Sequence, residues 1–205
     1  MVNQLASAPV VQVSKESDAE CMGIPVFTDD DLMVCIVEES IDPEGDAVTY
    51  SYQWFRDGEL VEGLTESSVP ASETARGQNW QVVVTPHDAL SAGEVGISST
   101  VVQNSAPTVA DVSVGPEGAG TLEELVCVAG STTDLDGDEV SYVYSWSVNG
   151  TAIDTTDAVL DPSHHAKGDV VSCAVQPTDD MAVGLSIVST DLVIQNTPPS
   201  VESVV

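Results

Sequence analysis

The sequence predicts an all-β chain, two tandem antiparallel β-sandwich domains in an elongated rod, on three observations: a domain-length internal repeat, period-2 apolar alternation around two tryptophans, and Asp-Gly or Asn-Gly turns directly after those strands. The stretch "DPEGDAVTYSYQWFRDG" at 42–58 returns as "DLDGDEVSYVYSWSVNG" at 134–150. The match extends outward, with Cys35 over Cys127 and Trp54 over Trp146 at the same Cys-to-Trp spacing of 19 residues. Further on, "ARGQNWQVVVTPHD" lies over "AKGDVVSCAVQPTDD", and the units close on the similar junctions "VVQNSAP" and "VIQNTPP". A worn third junction, "VNQLASAP", opens the chain, and Pro9, Pro107 and Pro199 set a period of about 92 to 98 residues. That is a domain and not a solenoid unit. The expected boundaries are 9–106 and 107–198, with 1–8 as the closing strand of a preceding repeat and 199–205 as the opening strand of a following one.

In each unit a Cys-bearing strand comes first, "LMVCIV" or "ELVCVA". An acidic loop follows, and then the tryptophan strand. Val140, Tyr142, Tyr144, Trp146 and Val148 alternate with Ser141, Val143, Ser145 and Ser147, as Val48, Tyr50, Tyr52 and Trp54 do in the first copy. Asp57-Gly58 and Asn149-Gly150 supply the positive backbone angles of a two-residue hairpin, so the chain returns at once through "ELVEG" or "TAIDT". The later strand "VVSCAV" completes the order Cys127, Trp146, Cys173 of an immunoglobulin-like sandwich, in which the Trp packs on a bridge between sheets. No segment carries a helical period.

The 205 residues suit two domains of about 100 each. With 34 acidic against 4 basic residues and a formal charge of -30, nothing can neutralise phosphate, which excludes nucleic acid and anionic membrane surfaces as partners. Cations are the natural counterpart, and the competing explanation is solubility in a salty medium. A hydrophobic content of 42% in alternating runs argues for packed cores over disorder. No apolar run reaches the roughly 18 residues of a membrane span, and "MVNQLASAPVV" lacks the basic start and long apolar centre of a signal peptide. The expectation is a segment of a longer secreted protein.

The "DxDGDxVxYxYxW" run of the second unit, the "TPxD"-type loops and the "NSAP" and "NTPP" junctions resemble the tandem immunoglobulin-like repeats of large bacterial and archaeal cell-surface proteins, related in architecture to PKD-like and cadherin-like domains. The PKD turn "WDFGDG" is replaced by "WFRDG" and "WSVNG". The resemblance covers both units and implies an extracellular or cell-surface setting. Such modules serve as stalks, adhesins, enzyme appendages and filament subunits, so it says little about function.

Four cysteines in a secreted acidic chain read as two disulfides, with three possible connectivities. Cys127 and Cys173 lie on the two core strands of the second unit with side chains pointing inward. Val82 takes the position of Cys173 in the first unit, which leaves Cys35 to pair with Cys21, placed on the first strand. A thiolate metal site would need close spacing that is absent. His164 and His165 read as part of a solvated turn.

The acidic loops are not EF-hands: from Asp134 the sixth position is Glu139, the twelfth is Ser145, and a strand follows. Asp134, Asp136 and Asp138, and Asp42, Glu44 and Asp46, nevertheless put hard oxygen ligands on alternate positions of a tight loop. The loop after the later core strand belongs to the same end of such a sandwich and adds Asp179 and Asp180, or Asp88. Crowded carboxylates repel and a divalent cation relieves them, so calcium is the expected cofactor. The competing reading is that Asp and Gly simply make good turns. If that end of the second unit faces the preceding one, Asp29, Asp30 and Asp31 join its site and calcium stiffens the Asn104 to Pro107 junction.

No Ser-His-Asp arrangement or phosphate-binding glycine loop is present, so the chain reads as non-catalytic. The expected function is a rigid, disulfide-pinned, calcium-stiffened spacer of a surface protein or extracellular filament, contacting neighbouring repeats or further copies head to tail. The alternatives are an adhesin or carbohydrate-binding module that engages a surface glycan or protein, and a filament subunit that donates its terminal strand. The aromatic residues alternate inward, with only Phe55 and Trp80 undecided, which favours the spacer. The sequon "NGT" at 149–151 is explained by turn chemistry alone.

Overall fold

Apolar alternation places the tryptophan strand of each repeat at the centre of a sheet. The computed structural model describes residues 3–197, and the chain divides into two units between Ser105 and Ala106. Unit 1 contains β1 (Val10–Lys15), β2 (Leu32–Glu38), β3 (Thr49–Arg56), β4 (Glu59–Leu60), β5 (Ser68–Val69), β6 (Asn79–His87) and β7 (Gly96–Val101). One sheet runs β1-β2-β5 and the other β4-β3-β6-β7. Val13, Leu32, Val34 and Val69 from the first sheet share a core with Trp54, Trp80, Val82 and Val84 from the second. The result is an antiparallel sandwich.

Unit 2 contains β8 (Thr108–Val109), β9 (Val112–Gly115), β10 (Leu125–Ala129), β11 (Thr132–Thr133), β12 (Ser141–Val148), β13 (Thr151–Ile153), β14 (Val159–Leu160), β15 (Val170–Thr178), β16 (Ile187–Val188) and β17 (Leu192–Val193). Its sheets are β14-β10-β9 and β13-β12-β15-β16, with β17 also on β15 and β8 paired to β11. The registers of the two units correspond: Trp54 lies opposite Val82, and Trp146 opposite Cys173. Cys173 bridges to Cys127 on the facing sheet, and Trp146 packs in the same core. Unit 1 has Val82 there instead, and Trp80 meets Trp54 edge to face with ring centroids 6.3 Å apart. A second indole thus packs in the core of unit 1, at the position that Val171 takes in unit 2.

Asp57-Gly58 and Asn149-Gly150 both have positive φ, 54° and 85° in one turn and 50° and 76° in the other. Those angles match the twist of the flanking strands, which is why the hairpins are tight.

Three local features differ from the sequence expectation. Cys21 bridges Cys35 from the irregular loop after β1, at φ 54°, and not from the first strand itself. Residues 3–9 form no strand: Ser7 and Ile41 exchange hydrogen bonds, and Glu94 N donates to Ala6 O, so backbone groups expected to pair in a sheet are satisfied by loops of unit 1. His165 is buried instead of solvated, with Nε2 at 3.1 Å from Glu123 O. The segment 199–205, read as a free strand, lies outside the described residues.

Candidate metal sites

The acidic loop of unit 2 is organised by its first aspartate. Asp134 Oδ1 accepts hydrogen bonds from the backbone N–H of Asp136 at 2.9 Å and of Asp138 at 3.1 Å. Gly137, at φ 78°, supplies the reversal that a side chain would strain. The curl brings oxygen atoms of Asp134, Asp136 and Asp138 within 4.8 Å of one another, and all three residues are half-buried. Asp134 Oδ2 is buried and accepts no hydrogen bond.

Unit 1 repeats this construction. Asp42 Oδ1 accepts from Glu44 N at 2.9 Å and from Asp46 N at 3.0 Å, Gly45 has φ 81°, and Asp42 Oδ2 is buried without a partner. Turn formation accounts for one carboxylate oxygen of each leading aspartate. It leaves the other unexplained, and an ionised oxygen without a donor or a cation is costly to bury.

The remaining acidic residues have other engagements. Asp179 Oδ1 accepts from the backbone N–H groups of Met181 and Ala182, closing its own turn. Among the described residues, neither Asp179 nor Asp180 belongs to the Asp134 cluster. Asp88 Oδ1 accepts from Leu90 N and Ser91 N, both at 2.6 Å, while Asp88 Oδ2 accepts from the Asn3 amide at 3.1 Å. These bonds, led by that from Leu90, hold the Asp88 carboxyl below its ordinary value. Glu44 accepts from Gln4 N and Gln4 Nε2, both at 3.1 Å. Asp30 accepts from Phe27 N and lies 3.8 Å from Lys15 Nζ, and Asp31 accepts from Ala71 N, so both have partners within unit 1.

Trp54, Trp80 and Trp146 are buried, and Phe55 is half-buried. Asn149 holds its turn: Nδ2 donates to Asp169 Oδ1 at 2.8 Å, and Oδ1 accepts from Val170 N at 3.0 Å. The clasp of Asn3 and Gln4 on Asp88 and Glu44 has no local sequence signal, since it spans 85 and 40 positions.

No family model and no curated protein matches the chain. Among solved structures, it is similar to the chicken CNTN1 FN1-FN3 domains at 14% identity, covering 96% of this chain and 69% of that one, with a TM-score of 0.39. A Ca2+-stabilized adhesin that helps an Antarctic bacterium reach out and bind ice is similar at 14% identity over 94% of this chain, which spans 50% of that chain, with a TM-score of 0.37. Fibronectin(III)-like modules of Clostridium thermocellum CbhA are similar at 12% identity over 90% of this chain and 94% of theirs, with a TM-score of 0.30.

Proposed function

We propose that the chain is a non-catalytic extracellular structural module, a disulfide-pinned spacer whose acidic loops take up calcium and are stiffened by it. The observation that carries the calcium reading is the cluster of three carboxylates in the Asp134–Asp138 loop, within 4.8 Å of one another and built on a loop that unit 1 repeats. A formal charge of -30 makes cations the natural counterions and makes their uptake stabilising. Two disulfides support an oxidising, extracellular setting. Burial of all three tryptophans favours the spacer over a carbohydrate-binding module, which would use exposed rings as platforms. In this reading the partners are neighbouring repeats or further copies of the chain.

Titration of the chelator-treated chain with calcium, at fixed ionic strength, tests the proposal. Saturable heat of binding and a rise in melting temperature are expected, and Asp134→Asn with Asp136→Asn should remove unit 2's share of both. Equal stabilisation by sodium chloride alone would show general screening and sink the calcium reading.

A further inference from the structure

The two acidic loops treat one hydroxyl differently. Ser40 and Thr132 occupy matching positions two residues before the leading aspartate. In unit 2 the Thr132 and Tyr142 hydroxyls are hydrogen-bonded at 2.7 Å. In unit 1 the corresponding Tyr50 hydroxyl instead accepts the Ser40 backbone N–H at 2.9 Å, and Ser40 Oγ is left buried with no partner. Asp42 Oδ2, two residues on, is in the same condition. The two residues are only 9% and 6% exposed, and both line a cavity of about 370 Å³ together with Glu39, Asp46 and Tyr50. A buried hydroxyl and a buried carboxylate oxygen, both unmatched, on residues that line one cavity with the Asp46 carboxylate call for an occupant that carries positive charge.

The other acidic groups predicted for this end already have donors. Glu44 is held by Gln4, and Asp88 is held by Asn3 and by its own turn. We propose that unit 1 binds calcium through Ser40 Oγ, Asp42 Oδ2 and the Asp46 carboxylate, with Glu44 and Asp88 outside the coordination sphere and serving to clasp the N-terminal segment. This rests on the reading of the acidic loops as calcium sites. A neutral hydroxyl combined with two carboxylates in an irregular loop suits calcium, which accepts varied oxygen ligands and geometries, better than magnesium, which demands a tight octahedron.

The test is calcium titration of the chelator-treated full chain, by calorimetry and by melting temperature, in the parent, in four single variants of unit 1 and in Asp134→Asn. Ser40→Ala should weaken uptake at unit 1 by about tenfold or more, the scale on which metal-site partners act. Asp42→Asn should abolish it, while its retained Oδ1 still closes the turn. Glu44→Gln and Asp88→Asn should leave affinity within about twofold and instead expose the N-terminal segment to proteolysis. In chelator, Ser40→Ala should melt no lower than the parent, because it deletes only an unmatched hydroxyl.

Unchanged calcium affinity in Ser40→Ala, loss of affinity in Glu44→Gln or Asp88→Asn, or magnesium binding as tight as calcium would each overturn the assignment. If the parent binds calcium and Asp134→Asn alone removes all of it, the unit 1 site falls while the proposed function stands. If the parent binds none, the proposed function falls with it.

Discussion

Asp18 shows how much one buried carboxylate can organise. It accepts from Ser14 Oγ at 2.6 Å, Met22 N at 3.0 Å, Gly23 N at 2.8 Å and Ile24 N at 3.3 Å, and so ties down the loop that carries Cys21. The Ser14 hydroxyl is the largest cause holding its carboxyl below the ordinary value of 3.8, followed by Met22 N, while burial acts in the opposite direction. Because the folded-state value is depressed, its contribution to stability is complete above 3.8 and is lost as pH falls through the lower folded-state value. Urea unfolding of Asp18→Asn against the parent, across the acid range, should show a deficit near neutral pH that narrows below 3.8. A constant deficit at every pH would mean that the carboxylate charge plays no part. Nothing local distinguishes Asp18 from the other aspartates in the sequence, since its four donors are assembled only when the loop closes.

At the level of the element, the two hairpins solve one backbone problem with different chemistry. Asp57 Oδ1 accepts from Asn79 N, and Gln78 occupies the position matched by Asp169 in unit 2. Asn149 instead donates to Asp169, and this bond is the first cause of the lowered Asp169 carboxyl. Each turn residue is therefore suited to its own neighbour. Asn149→Asp should destabilise the hairpin by setting two carboxylates against each other on the surface, and adding Asp169→Gln should restore most of the loss. Denaturant midpoints of the single and double variants measure this coupling, and simple additivity would refute it. The turn itself was legible because Asp-Gly and Asn-Gly encode positive φ within two residues. The dependence on position 169 was not, because it lies 20 positions away.

For the molecule as a whole, each unit carries its own core and its own bridge. Sequence separations of 46 and 14 give chain-entropy contributions of about 4 kcal/mol for Cys127–Cys173 and about 3 kcal/mol for Cys21–Cys35. Replacing Cys127 and Cys173 with Ala should lower the melting of unit 2 and leave that of unit 1 in place, with the converse for Cys21 and Cys35. Scanning calorimetry of the paired variants would resolve the two transitions. Equal displacement of both by either pair would show that the units unfold together.

The sequence alone determined the duplicated sandwich: the tryptophan strands, the hairpins and the inward Cys127 and Cys173. Period-2 alternation and turn chemistry act within a few residues, so they survive without knowledge of the fold. Only the tertiary structure decided the fate of the polar groups. It turned Trp80 into the core beside Trp54, drew Asn3 and Gln4 onto Asp88 and Glu44, and left Ser40 Oγ and Asp42 Oδ2 buried and unmatched. Composition counts carboxylates but cannot say which will be satisfied. That depends on donors brought from distant parts of the chain, for which each oxygen competes only once the fold has formed.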